Sequence, residues 1–191
     1  MDASKPTKPT RQRWRLLRDE RGSIVIEFAM VGPMFLLLVL GILELSLMMF
    51  SQAVLDAAAR QAARTVRTGQ AQTTNNPIQA FSNALCAGLA GIPGLIPCGS
   101  VVYNVKTYTN FTAALAAPPP TFFDANGNPN PPVFTPGGPS SYVVVSVLYN
   151  RNFITGAISG LLGVVRGSGS GGNWRSTLLT STVVFQNEPY P

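Results

Sequence analysis

Residues 21–50 read RGSIVIEFAMVGPMFLLLVLGILELSLMMF, and this stretch decides how the rest of the chain is organised. After Arg21, its only charged residues are Glu27 and Glu44, so that Phe28–Leu43 is free of charge. A bilayer core about 30 Å thick requires about 20 helical residues at about 1.5 Å each. The stretch therefore predicts a transmembrane helix, with a short segment before it and most of the chain after it.

The distribution of charge predicts which side of the membrane the N-terminus occupies. The chain has a formal net charge of +6, and residues 1–22 hold half of its 14 Lys and Arg residues. Basic residues directly before an apolar span are typical of a cytoplasmic flank under the positive-inside rule. We therefore interpret residues 1–22 as a basic cytoplasmic leader, and we expect no nucleic acid as a partner.

Composition argues against a secreted enzyme. The apolar run is longer than the core of a secretory signal, which has about 7–15 residues, and its polar break lies before it rather than after it. The sequence contains no His and only 8 acidic residues, so the commonest general base and metal ligand is absent. It has no phosphate loop, Cys/His cluster or recognisable nucleophile with a base. We expect a protein that is not an enzyme and that holds neither a metal nor another cofactor.

The transmembrane helix is expected to continue beyond the bilayer. Residues 52–67 contain neither Gly nor Pro and are rich in Ala. The pattern predicts one helix over 23–67, about 67 Å long, with about half of it outside the membrane. Gly69 provides a terminator. Pro33 is expected to kink the helix inside the membrane, because it removes a backbone donor and clashes with the preceding turn.

Residues 68–191 predict a periplasmic α+β domain. Three strands are expected in segments rich in β-branched and aromatic residues, namely Ser100–Thr109, Ser141–Tyr149 and Thr177–Phe185. Short helices are expected at Pro77–Leu89 and Asn152–Val165, with a long loop over 117–140 and a flexible tract at Arg166–Gly172. The predicted fold is a small antiparallel sheet of three or more strands with short helices, packed on the outer half of the long helix.

Both cysteines, Cys86 and Cys98, follow the predicted span. If the N-terminus is cytoplasmic, they lie outside the reducing compartment, where a disulfide is permitted. The alternative is a pair of buried free thiols. The Pro- and Gly-containing loop between and around them would gain from a covalent link, which favours the disulfide.

Glu27 requires an explanation, because a charge at bilayer depth costs about 2.5–3.5 kcal/mol. One explanation is that its side chain extends to the inner headgroups. The other is a positive partner, which a cut between Gly22 and Ser23 would supply as the α-ammonium group of Ser23. Glu44 lies about 26 Å further along the helix, so we expect it to reach the outer interface.

The segment from Arg21 to Gly69 resembles the TadE-like pseudopilins of the tight-adherence (Tad/Flp) pilus. Their pattern, RGxxxxEFAxxxPxxLLLLxGxxE, precedes an Ala/Arg-rich AAReAAR segment, and the closing VVFQNEPYP resembles the final strand and tail of many members. The resemblance implies processing by a prepilin peptidase, with Gly22 as the last leader residue and Ser23 as the mature N-terminus. It also implies that Glu27 is recognised during processing or assembly, and it assigns no catalytic group to this chain.

Arg60, Arg64 and Arg67 form a basic stripe on the predicted helix. Such a stripe is either a solvated face or a docking surface for a partner subunit or outer-leaflet lipid, and the sequence leaves both interpretations open.

The predicted function is that of a membrane-anchored pseudopilin, a minor pilin-like subunit needed to assemble a tight-adherence type IV pilus. We expect it in the bacterial inner membrane as a single-pass protein with a periplasmic domain, or in the pilus itself. The expected partners are a prepilin peptidase, other pilins and pseudopilins, the inner-membrane assembly platform and the lipid bilayer. The alternative is an uncleaved, signal-anchored binding or sensor protein of the envelope.

Overall fold

The structure is a computed structural model and describes residues 21–124, 128–154 and 176–190. Its helices are α1 (Arg21–Arg67), α2 (Pro77–Leu89) and α3 (Phe111–Leu115), and a short 3-10 helix spans Cys98–Ser100. Its strands are β1 (Val101–Tyr108), β2 (Val133–Phe134), β3 (Tyr142–Asn152) and β4 (Ser176–Gln186). This is the α+β arrangement that the sequence predicts.

The chain divides into two compact units, residues 1–42 and 43–191. In the first unit, the described part is the N-terminal portion of α1, and nearly all of its large apolar side chains are exposed. By length and composition, α1 can cross a membrane. Exposed apolar side chains over such a length have no counterpart on the surface of an ordinary soluble domain.

The second unit contains the remainder of α1, from Leu43, together with the sheet and the short helices. The helix ends at Arg67, and Gly69 then adopts a left-handed conformation with φ +75°. Its N–H donates to the carbonyl of Val66 at 3.1 Å, which satisfies one of the free carbonyls at the helix end. Gly69 thus terminates the helix as predicted.

The sheet has the strand order β2-β1-β3-β4, with β3 between its two long neighbours. Strand β3 pairs antiparallel with β1 and with β4, so the three predicted strands pair as expected. The two-residue β2 joins the free edge of β1 in parallel, which makes the complete sheet mixed. The sequence pattern missed β2, because a two-residue strand among prolines carries no periodicity.

Two other elements differ from the sequence-based predictions. Helix α3 was not predicted, and its five residues begin where the Asn110 side chain accepts a hydrogen bond from the Ala113 N–H at 2.7 Å. The predicted helix at Asn152–Val165 begins at a residue that belongs to β3. The rest of that prediction, over 155–165, lies outside the described residues, as does the tract Arg166–Gly172.

The core of the second unit lies between α1, α2 and one face of the sheet. Helix α1 contributes fully buried small and aliphatic residues, including Leu55, Ala58, Ala62 and Val66. They pack with Phe81, Leu85 and Leu89 of α2 and with Val105, Val143, Val145 and Val147 of the sheet. The Ala-rich sequence beyond the span therefore forms the helix face that carries the domain.

A disulfide joins Cys86 of α2 to Cys98, with the two Cα atoms 5.4 Å apart. It closes the loop that runs from the end of α2 to the short 3-10 helix before β1. The link therefore ties α2 to the start of the sheet.

Candidate functional site

The first part of the candidate site is the start of α1. Gly22 and Ser23 lie in the first turn of this helix, and Glu27 follows one turn after Ser23. The Glu27 side chain is exposed, as are the apolar residues around it. No Lys or Arg occurs between Ser23 and Arg60, so this helix supplies no cationic side chain near the carboxylate on its C-terminal side.

Pro33 lies inside α1, as predicted, and it follows Gly32. The aromatic ring of Phe28 covers Gly32, and a Cβ placed on that glycine would lie 3.5 Å from the ring. The ring therefore packs beside the turn in which Pro33 removes a backbone donor. The predicted kink at Pro33 stays a prediction.

Glu44 occupies a different environment from the one expected. Glu44 is only 5% exposed, and its Oε1 accepts a short hydrogen bond from the N–H of Ile154, just after β3. The carboxylate is thus held against the chain just after β3 rather than exposed on the helix surface, and its level at the outer interface stays a prediction. Sequence reasoning missed this contact because the two residues are 110 positions apart and neither lies in a recognisable motif.

A second contact between α1 and the end of β3 lies two turns further along the helix. The Nη1 of Arg151 donates to the Oγ of Ser51 at 2.6 Å, and that hydroxyl in turn donates to the carbonyl of Leu47 at 2.7 Å. Ser51 is fully buried. The two contacts fix the end of β3 to residues 44–51 of the helix.

The predicted basic stripe is not uniform. Arg60, Arg64 and Arg67 are all exposed on α1. However, the guanidinium of Arg67 forms an ion pair with Glu188 at 2.8 Å, and its Nε donates to the same carboxylate oxygen at 3.0 Å. Arg67 is therefore engaged within the chain, which leaves Arg60 and Arg64 as the candidate docking residues.

The C-terminal tail packs against the end of α1 and a nearby loop. Asn187 is 2% exposed, and its side-chain amide donates to the carbonyls of Pro136 at 2.9 Å and Gly138 at 3.0 Å. The backbone N–H of Glu188 donates to the carbonyl of Arg67 at 2.9 Å. The structure thus brings the C-terminal end of the 21–69 segment into contact with the closing tail, and these are the two stretches that carry the resemblance.

A cavity of about 690 Å³ lies on the other face of the sheet. Its walls are the outward-facing side chains of β1, β3 and β4 and the segment 114–122, which includes three consecutive prolines. Lys106 and Tyr108 are the titratable groups among its lining residues, and no carboxylate accompanies them there. This lining offers no pairing of acid and base.

Within the described residues, one long apolar helix continues into an α+β domain, which is typical of a membrane-anchored protein. Residues 22–64 match the model of the family described as TadE-like protein, which confirms the predicted family for that segment. No curated protein and no solved structure matches the chain. The match begins at Gly22 and includes Ser23, Glu27, Pro33, Arg60 and Arg64, whereas Arg67 and the C-terminal tail lie outside it.

Proposed function

We propose that this protein is a membrane-anchored pseudopilin, a minor pilin-like subunit needed to assemble a tight-adherence type IV pilus. The observation that carries the proposal is the TadE-like match over 22–64, which falls on a helix whose apolar surface is exposed at its N-terminal part. A surface of this kind is available to lipid and to the helices of other membrane subunits. The protein acts as a structural subunit rather than as an enzyme, and it requires no cofactor.

The proposed topology places the N-terminus in the cytoplasm and the α+β domain in the periplasm, anchored in the inner membrane. The basic leader supports this orientation, because cytoplasmic flanks are enriched in Lys and Arg. The bond between Cys86 and Cys98 agrees with it, since disulfides persist in the bacterial periplasm and are rare in the cytosol.

The proposed processing step is hydrolysis of the peptide bond between Gly22 and Ser23 by a prepilin peptidase. It would release the leader and leave an α-ammonium group on Ser23, about 6 Å along the helix from Glu27. An ion pair between these groups, within one chain or between neighbours, would offset the cost of placing Glu27 in the bilayer. Other pilins and pseudopilins and the inner-membrane assembly platform are the proposed partners of the processed helix.

Cleavage is tested by N-terminal sequencing of the protein purified from membranes of its own strain and of a strain that lacks the prepilin peptidase. We expect a chain that begins at Ser23 in the first strain and an intact leader in the second. An intact leader in both strains would contradict processing and would favour the uncleaved envelope anchor.

The role of Glu27 is tested by counting pili on cells that carry Glu27→Ala. Removal of the carboxylate should abolish or strongly reduce piliation while the protein still enters the membrane, because the substitution makes the span more apolar. Met34→Ala is the matched control, since Met34 is also exposed on α1 and carries no charge. Normal piliation with Glu27→Ala would contradict the assembly role.

A further inference from the structure

The exposed surface of α1 changes from apolar to polar at a definite position within the second unit. Leu45, Met49 and Phe50 are exposed, and Met49 is 75% accessible. From Ser51 onwards, the helix carries polar side chains or packs into the domain core. The exposed apolar surface of this helix therefore ends at about Phe50.

The end of β3 also has a boundary between polar and apolar residues, but here the polar residues come first in the chain. Arg151 and Asn152 are polar, and they are followed by Phe153 and Ile154. Ile154 is 70% exposed, although it is a large aliphatic residue. In the sequence, the next residues, 155–165, contain no charged side chain and five large aliphatic ones.

The two hydrogen bonds described above place the polar-to-apolar boundary of the strand end beside that of the helix. Arg151 binds Ser51 where the helix becomes polar, and the N–H of Ile154 binds Glu44 where the helix is still apolar. From residue 44 to residue 51, the helix rises about 10 Å. The chain after β3 therefore runs beside the helix from Ser51 towards Glu44, and Ile154 contacts the helix about 10 Å of helix rise before Ser51.

We propose that Ile154, just beyond the end of β3, inserts into the lipid leaflet on the domain's side, beside residues 44–51 of α1. The partner is the acyl-chain region of that leaflet, because the exposed Ile154 is continuous in depth with the lipid-facing residues Leu45 and Met49. The burial of Glu44 agrees with this depth, since a carboxylate among acyl chains requires a donor, and the backbone N–H of Ile154 supplies one.

This insertion gives the domain a second attachment to the membrane besides the span, and it does not depend on the proposed role in a pilus. Apolar side chains that enter the boundary between headgroups and acyl chains to about 5–10 Å are typical of interfacial anchors. The level of Ile154 matches the deep end of that range. The attachment holds the end of the sheet at a fixed depth.

The test places a tryptophan at position 154 in the full chain. The two native tryptophans, Trp14 and Trp174, are replaced by Phe, and Ile154→Trp is added before reconstitution at one copy per lipid nanodisc. Phosphatidylcholines brominated on their acyl chains quench tryptophan that lies within the leaflet. We expect a blue-shifted emission and loss of most of the intensity, comparable with that of Met49→Trp in the same background.

Phe111→Trp is the negative control. Phe111 is also exposed, and its ring contacts Tyr142 at the opposite end of β3. Leu178→Trp is a second reporter in case the first variant does not fold. Leu178 is exposed and pairs with Asn150, one residue before Arg151, so quenching there should come mainly from bromines near the headgroups.

Two results would overturn the proposal. Emission from Ile154→Trp that equals that of Phe111→Trp would place the end of the sheet in water. Blue-shifted emission without quenching would mean that protein, and not lipid, covers position 154. At one copy per nanodisc, the protein that covers position 154 would be this chain itself. Quenching that is lost only at several copies per nanodisc would show that a second copy covers position 154.

Discussion

Gly69 and Tyr190 meet at the end of the long helix, where the lack of one side chain allows the C-terminal tail to dock. Gly69 has φ +75°, and a Cβ added to it would lie 2.5 Å from the nearest atom of the Tyr190 ring. Two separate costs therefore oppose any larger residue at this position: a left-handed backbone and a steric clash with the ring.

Gly69→Ala should lower the free energy of unfolding of the domain by about 2 kcal/mol or more, because the left-handed conformation alone costs an L-residue about 1–2 kcal/mol. Chemical unfolding of the full chain in detergent, followed by circular dichroism, measures the change. Gly138→Ala is the matched control, since a Cβ there meets open space. If the two variants were equally stable, the tail would not dock on Gly69.

Tyr103 gives the domain a dependence on alkaline pH. Burial raises its pKa above the usual value of 10.0, and a hydrogen bond with Ser82 partly opposes this increase. Because the folded state holds the proton more tightly than the unfolded state, Tyr103 contributes stability below pH 10 that is lost as the pH rises through the folded-state pKa.

Tyr103→Phe should therefore reduce the loss of stability between neutral pH and a pH above that of tyrosine ionisation. The substitution keeps the aromatic contact with Phe81, whose ring centroid lies 5.1 Å away. Unfolding free energies of both proteins at the two pH values give the comparison, and the neutral-pH difference corrects for packing. An unchanged alkaline decrease would exclude this contribution from Tyr103.

At the scale of whole elements, the predictions succeeded where the chain carries a long periodic signal. Helix α2 has the predicted bounds, and β1, β3 and β4 differ from the predicted strands by only a few residues at their ends. The short β2 and α3 were missed. Their formation depends on partners, since β2 requires the edge of β1 and α3 requires the Asn110 cap.

The packing of α1 against α2 depends on Gly88. A Cβ on Gly88 would lie 2.8 Å from the Cα of Ala58 and 2.9 Å from its Cβ, neither of which can rotate away. Gly88→Ala should be destabilising by about 1–2 kcal/mol, because overpacking typically costs about 1–3 kcal/mol and exceeds the gain of up to about 1 kcal/mol in helix propensity.

Thermal unfolding of Gly88→Ala and Gly91→Ala would compare the effects of the same chemical change. Gly91 is the control, because the nearest atom to its added Cβ is 3.9 Å away. A melting temperature for Gly88→Ala at or above that of the parent protein would mean that the helices separate without cost.

At the scale of the whole molecule, the candidate site was predictable only where its residues lie close together in sequence. Gly22, Ser23 and Glu27 fall within one short motif, and the family match covers them. The engagement of Arg67 could not be predicted, because its partner Glu188 lies 121 positions away. A helical stripe indicates which side chains share a face, but it carries no information about which of them the folded chain uses internally.

Because Arg67 is engaged within the chain and Arg60 and Arg64 are not in that ion pair, we expect different results for these arginines in a piliation assay. Arg60→Gln combined with Arg64→Gln should lower the number of pili several-fold at unchanged membrane levels, because it removes two exposed charges from the proposed docking surface. Arg67→Gln is the matched control and should leave piliation near normal. Its ion pair joins side chains that are 55% and 47% exposed, so its loss costs at most about 1 kcal/mol. Unaltered piliation in the double variant would exclude Arg60 and Arg64 from docking, and a defect confined to Arg67→Gln would assign the role to the contact with the tail.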